Sequence, residues 1–133
     1  MTSAPANPTK PEQDEGPTPR ERLLDAYAEA IADEARGAPD GAARWLRLRD
    51  LREALGVDLP TMLEHVDIVH EAQRQANDAA YSVTRHTQFP ADDPRREQQQ
   101  AEREQARQRG RDAIEQLGEL APHVMACVPG LVA

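Results

Sequence analysis

The chain has 133 residues, of which 38% are hydrophobic and only 3% aromatic, and its formal net charge is −8. The hydrophobic share lies below the roughly 45–50% of an ordinary globular domain, which argues against a large α/β enzyme core. The longest uninterrupted apolar run covers residues 124–128, far short of the ~20 residues that a membrane-spanning helix needs. With no secretory pattern at its start, the chain is predicted to be one small cytoplasmic domain without membrane contact.

The charge balance and the cysteine content restrict the classes of partner and cross-link. The chain has 24 acidic against 16 basic residues, which argues against non-specific affinity for nucleic acid or anionic lipid. Cys127 is the single cysteine, so no disulfide can form within the chain.

Residues 1–17 are predicted to be a disordered tail that precedes a domain over 18–131. The tail is polar and shows no apolar period, and four prolines interrupt it: Pro5, Pro8, Pro11 and Pro17. Such a segment cannot bury enough surface to offset the entropy lost on ordering. A short docking motif is the alternative, because Pro8 and Pro11 have the PxxP spacing.

The domain is predicted to begin with a helix over 19–36. Thr18 and Glu21 form a capping-box pattern, with Pro19 at the first helical position. Apolar residues then recur at helical spacing, namely Leu23, Leu24, Tyr27, Ile31 and Ala35. The helix should end at Gly37, just before Pro39.

The segment 43–48 permits two predictions. It is either the start of a helix capped by Asp40 or a short strand with Trp45 and Leu48 turned toward the core. From residue 49 to 55 the pattern is helical, and Gly56 should end that helix. Asp58 is a good N-cap for a third helix over 59–74, whose inner face would carry Met62, Val66 and Val69.

After Asn77 the period changes, and the β-branched content predicts a short strand over 81–88. Asp93 should cap a long helix over 94–117, whose first half is almost wholly polar and is therefore expected to project or to form only in part. Its last turns, with Ala113, Ile114 and Leu117, could dock on the body. Residues 122–128 are predicted to form a second strand.

The segment from Leu51 to Met62 resembles a helix-turn-helix. In that motif Leu51 and Leu55 would anchor the first helix, Gly56 would make the turn, Val57 would fill the angle and Asp58 would cap the second helix. The two strand candidates extend the resemblance to a winged-helix domain over 20–128. It implies an α+β fold, mostly α, with a long helical insertion over 89–120 in the wing. The alternative is a helical hairpin in a small α-bundle.

In winged-helix proteins the second helix of the motif commonly enters the major groove of DNA. Residues 58–71 of this chain contain four acidic residues and no Lys or Arg, and such a helix would repel phosphates. The exposed face of helix 59–74 is therefore predicted to bind a partner protein. The candidate partner-binding residues are Leu59, Pro60, Thr61, Leu63, Glu64, His65 and Asp67.

The alternative is a DNA-binding transcriptional regulator that holds duplex phosphates with arginines and is dimeric through helix 19–36 or helix 94–117. The candidate nucleic-acid-binding residues are Arg44, Arg47, Arg49, Arg52 and Arg85. These arginines could instead pair with the acidic first helix. A further alternative is an acidic protein that mimics DNA.

No enzymatic activity, cofactor or metal is predicted. His65 and His70 are five residues apart, about 140° around a helix, so their imidazoles do not converge on one ion. His123 and Cys127 would share a face, and a thiol–imidazole pair can be catalytic. However, Cys127 lies in an apolar run, which favours a buried structural thiol.

Overall fold

The computed structural model describes residues 16–85 and 92–131, and of 81–85 it describes the backbone alone. The described residues form α-helices joined by short turns: α1 (Pro19–Ala35), α2 (Gly41–Leu55), α3 (Leu59–Arg85), α4 (Pro94–Glu115) and α5 (Ala121–Met125). Single turns of 3₁₀ helix follow α4 and α5, at Gly118–Leu120 and Pro129–Leu131. α3 packs against both α1 and α4, and α1 also contacts α2 and α5.

The predicted α+β winged-helix fold is wrong, because the described residues contain no strand and the domain is all-α. In place of the first predicted strand, residues 81–85 continue α3, whereas 86–88 lie outside the described residues. The β-branched residues there disfavour a helix by only a few tenths of a kcal/mol each. Continuation of the helix already formed over 59–80 outweighs a preference of that size.

The second predicted strand, 122–128, is also wrong, since α5 and a turn occupy it. The buried residues around it are Leu117, Leu120, Val124, Val128 and Leu131. They are three or four positions apart, which is the period of a helix and not the alternation of a strand. With no wing in the described part of the chain, 89–120 is not an insertion, and its helix α4 belongs to the bundle.

The start of α1 follows the predicted capping box. The backbone N–H of Glu21 donates to Thr18 Oγ1 at 3.1 Å, and the backbone N–H of Thr18 donates to Glu21 Oε1 at 2.8 Å. The helix then buries Tyr27 and Ile31 almost completely against the rest of the bundle. The predicted helix 19–36 is therefore confirmed to within one residue.

The ambiguous segment 43–48 belongs to α2. Asp40 precedes the helix in a left-handed conformation, φ 62°, and its side chain makes no capping hydrogen bond, so the predicted cap is wrong. Leu48 is the one fully buried residue of α2. Trp45 stays 43% exposed and does not reach the core.

The turn between α2 and α3 has the predicted local chemistry. Gly56 has φ 75°, a left-handed conformation that ends α2. The backbone N–H of Val57 donates to the Arg52 carbonyl at 2.8 Å. Asp58 caps α3, since its Oδ1 accepts from the backbone N–H of Thr61 at 2.8 Å.

α3 and α4 approach each other closely through small residues. Ala72 and Ala79 on α3, and Ala106 and Gly110 on α4, are buried. A Cβ atom added to Gly110 would lie 2.6 Å from Leu131 Cδ2 and 3.4 Å from the Ala72 carbonyl oxygen. The polar segment 94–108 is helical throughout, so the expectation that it forms only in part is wrong. In the later turns of α4, Ala106, Gly110 and Ile114 are buried. The predicted docking of Ile114 and Leu117 is confirmed, because both are buried.

We expect Gly56→Val to lower the free energy of unfolding by roughly 1–3 kcal/mol, because a β-branched side chain is strained in a left-handed conformation. Gly41→Ala is the matched control, since its Cβ would meet only Arg44 Nη2, at 3.5 Å. Urea denaturation followed by circular dichroism measures both variants. Equal stability of the two would contradict the role assigned to Gly56.

We expect Gly110→Val to destabilise the domain by about 1–3 kcal/mol, because the added carbons overlap the buried Leu131 side chain and press on α3. Gln105→Val, at an exposed position of the same helix, should cost only the few tenths of a kcal/mol of its helix propensity. Denaturant midpoints provide the comparison. If the two variants unfold alike, α3 and α4 do not depend on a glycine at their contact.

Candidate functional site

Four large apolar side chains are conspicuously exposed on one part of the described surface. Trp45 is 43% exposed and Leu46 53% exposed on α2, and Leu59 is 41% exposed and Leu63 44% exposed on α3. They lie on the two helices that meet at the turn 56–58. We refer to Trp45, Leu46, Leu59 and Leu63 as the α2–α3 patch.

A groove of about 210 Å³ runs through the α2–α3 patch. Its lining residues are Trp45, Leu46, Arg49, Arg52, Leu59 and Met62. Met62 is only 1% exposed, so this lining residue belongs to the packed core. The groove therefore joins an apolar surface to the packed interior.

The position of the groove follows from the turn and from the helical period. Met62 and Val69 occupy the buried face of α3. Leu59 and Leu63 are one turn apart on a different face of the same helix. Asp58 caps α3 and Gly56 ends α2. The exposed side chains therefore lie on two helices whose adjoining ends are defined by local hydrogen bonds.

The structure places most of the predicted partner-binding residues on the outside of α3. Leu59, Pro60, Leu63, Glu64 and Asp67 are exposed, and Thr61 is partly exposed. Trp45 and Leu46 are exposed as well, although neither was among the predicted partner-binding residues. A signal was present: on a helix, Leu46 lies about 200° from Leu48, so if Leu48 faces the core, Leu46 must face outward.

His65 does not point outward as predicted. Its Nδ1 lies 2.9 Å from the hydroxyl of the buried Tyr27, and the two rings meet edge to face at 5.8 Å. Burial lowers the pKa of His65, and Glu64 offsets this in part. Burial also raises the pKa of Tyr27 above its usual value. His65 thus joins α3 to α1 as a neutral side chain at neutral pH.

The predicted nucleic-acid-binding arginines of α2 have different surroundings. Arg44 Nε donates to Glu34 Oε1 at 2.8 Å, and Arg47 lies 3.6 Å from the carboxylate of Glu29. Those two arginines pair with the acidic α1. In contrast, Arg49 and Arg52 line the groove of the α2–α3 patch.

The fifth of these arginines, Arg85, is the last residue of α3. It was predicted on a wing strand, and that placement is wrong because its backbone is helical. Its side chain lies outside the described part of the structure.

The histidine–cysteine spacing does not produce a nucleophile and its base. His123 Nδ1 pairs with Asp25 Oδ1 at 2.5 Å, while the Cys127 thiol donates to the backbone carbonyl of His123 at 3.5 Å. Burial raises the pKa of the thiol, and the carboxylates of Glu29 and Asp33 raise it further. A thiol with a raised pKa is a poor nucleophile at neutral pH.

The two histidines of α3 form separate contacts. His65 bonds to Tyr27, whereas His70 Nδ1 lies 3.0 Å from the Ala35 carbonyl oxygen, two turns further along α1. Across the described ranges 16–85 and 92–131, no three His, Cys, Asp or Glu side chains are grouped to hold a metal ion.

Comparison of the chain with protein-family models, with curated proteins and with solved structures finds no match. None of the helices described here combines the length and the apolar character needed to cross a lipid bilayer.

We expect the domain to lose stability as the pH falls below about 6.5, the ordinary pKa of histidine. The pKa of His65 is lowered in the folded state, so between the two pKa values the unfolded chain binds more protons and is favoured as the pH falls. In His65→Gln the free energy of unfolding should fall less between pH 7 and pH 5. Denaturation at several pH values measures the slope.

Tyr27→Phe serves as the control for this pH dependence. It removes the hydroxyl but keeps the burial that is the main cause of the lowered pKa of His65. Its pH slope should therefore resemble that of the wild type. An unchanged slope in His65→Gln would assign the pH dependence to other groups.

Proposed function

We propose that this chain is a non-enzymatic adaptor or regulatory module that binds a partner protein through the α2–α3 patch. The observation that carries this proposal is the exposure of four large apolar side chains on α2 and α3, three of which, Trp45, Leu46 and Leu59, line one groove. Contiguous apolar surface that a monomer leaves in water commonly marks an interaction site.

The composition of the patch supports a protein partner. Trp and Arg are enriched among the residues that contribute most to protein–protein affinity, and the groove contains Trp45, Arg49 and Arg52. The apolar side chains would be dehydrated by a partner, at about 25 cal/mol for each Å² removed from water. Glu64 and Asp67 are exposed on α3 one and four positions after Leu63, so they are its charged neighbours on the helix surface, as is common at the edge of an interface.

Charge argues against duplex DNA as the partner. The exposed start of α3 carries Glu64 and Asp67 and no cation, so it cannot release counterions from phosphates. Arg44 and Arg47, which would have held the DNA backbone, contact carboxylates of α1. The charge of this face therefore favours a protein partner over duplex DNA.

We expect Leu63→Asp to reduce capture of the partner at least about tenfold, because it puts a charge in the apolar interface. The full chain, with a photo-crosslinking residue in place of Leu59, would be irradiated in the cells that make it. Cross-linked partners would then be quantified by mass spectrometry. Since Leu63 is 44% exposed, the variant should keep its circular dichroism spectrum and melting temperature.

Gln105→Asp is the matched control, because it adds the same charge at an exposed position on α4. Its cross-linked products should match those of the parent chain. Equal capture by the Leu63→Asp variant would overturn the proposal.

A titration of labelled duplex DNA by fluorescence anisotropy, at about 50 mM and about 200 mM salt, tests the alternative. Tight, salt-dependent binding that is lost in Arg47→Ala/Arg49→Ala would replace the adaptor proposal with DNA binding.

A further inference from the structure

The groove of the α2–α3 patch has charges of one sign in its lining. Arg49 and Arg52 are the charged residues that line it. The Arg49 side chain is 54% exposed, and its contact is with the neighbouring Asp50 at 3.3 Å, a surface ion pair of small stabilising effect. Arg52 Nη1 donates to the Val57 carbonyl at 3.4 Å. A guanidinium has five N–H donors, so both side chains retain donors that can bind a carboxylate from outside.

No acidic residue belongs to the lining of the groove. Glu53 on α2 and Glu64 and Asp67 on α3 are exposed but do not belong to its lining. The carboxylate of Asp58 accepts a hydrogen bond from Thr61, which lowers the pKa of Asp58 and keeps it ionised as a cap. A ligand carboxylate is thus attracted to Arg49 and Arg52, the charged residues of the lining. The Asp58 carboxylate lies near enough to Arg52 for the two charges to interact, so Arg49 is the more available of the two.

The size of the patch favours a short segment over a second copy of this chain. Four side chains that are each 41–53% exposed present at most a few hundred Å² of apolar surface. A stable dimer buries about 800 Å² on each partner. A groove of about 210 Å³ accommodates a bulky side chain of an inserted segment.

We infer that the α2–α3 patch binds a short amphipathic segment of the partner protein. That segment inserts a bulky apolar side chain beside Trp45 and Leu59 and directs its carboxylates to Arg49 and Arg52. The inference rests on the proposed function and adds the chemistry of the bound segment. Charge-assisted contacts to the arginines orient the segment, while burial of its apolar side chain provides most of the affinity.

Two synthetic helical peptides test the charge of the segment. Both carry leucines along one face at helical spacing, and they differ only in having Glu or Lys at every flanking position. Each is titrated into the ¹⁵N-labelled full chain and followed by NMR. Trp45 is the only tryptophan, so its indole N–H signal reports on the groove without ambiguity.

We expect the Glu peptide to shift the Trp45 indole signal and the backbone amide signals of Leu59 and Leu63. It should bind at least about tenfold more tightly than the Lys peptide, a difference of about 1.4 kcal/mol. This preference should diminish at high salt, because the arginines are partly exposed and are screened.

The double variant Arg49→Glu/Arg52→Glu should reverse the preference, so that the Lys peptide binds more tightly. Arg74→Glu is the matched control, because Arg74 is an exposed arginine of α3 that pairs with Glu71 and does not line the groove. It should leave the preference for the Glu peptide unchanged. Circular dichroism of each variant verifies that the fold is retained.

Different failures have different meanings. Equal binding of the two peptides at Trp45, or tighter binding of the Lys peptide, would overturn the acidic segment but leave the adaptor function. Absence of any shift at Trp45 with both peptides would overturn the inference, while the adaptor function stands or falls with cross-linking of Leu63→Asp. If sedimentation shows a dimer that Leu63→Asp dissociates, the occupant is a second copy and the inference is wrong.

Discussion

The close approach of α3 and α4 at Ala72 and Gly110 is the contact on which the bundle depends. Most side chains of α4 are polar, so α4 would have little apolar area with which to pack against α3 if the two helices were further apart. Because Gly110 has no side chain, Leu131 can pack against it and become fully buried. The Leu131 carbonyl then accepts from Arg111 Nη1 at 2.5 Å. Thus α4 becomes a structural partner of α3 along its length.

The residues that α2 and α3 bury in the core determine which of their surfaces remain for a partner. α3 directs its buried residues, such as Met62 and Val69, toward the core, whereas α2 contributes Leu48 as its one fully buried residue. Of the other large apolar side chains of α2, Leu51 and Leu55 pack against the core and are partly buried, whereas Trp45 and Leu46 are exposed beside the first turn of α3. The same packing that completes the core therefore leaves the α2–α3 patch uncovered.

The candidate site could be predicted in part from the sequence. The exposure of Leu59 and Leu63 follows from the helical period, because Met62 and Val69 occupy the inner face of the helix. His65 could not be placed in this way, because its partner Tyr27 lies 38 residues earlier in the chain. The sequence also did not decide whether the arginines of α2 pair with α1 or stay exposed. In the structure Arg44 and Arg47 pair with carboxylates of α1, whereas Arg49 and Arg52 line the groove.

The sequence by itself determined four helix ends, although it did not give the start of α2 at Asp40 or the end of α3 at Arg85. Thr18, Asp58 and Asp93 cap helices and Gly56 ends one, because these interactions join residues only two to four positions apart. The tertiary structure decided between helix and strand at 122–128. There the local preferences amount to a few tenths of a kcal/mol per residue, and the burial of Val124 in the core outweighs them. Interactions between residues distant in sequence exist only once the chain has folded, and a local pattern does not contain them.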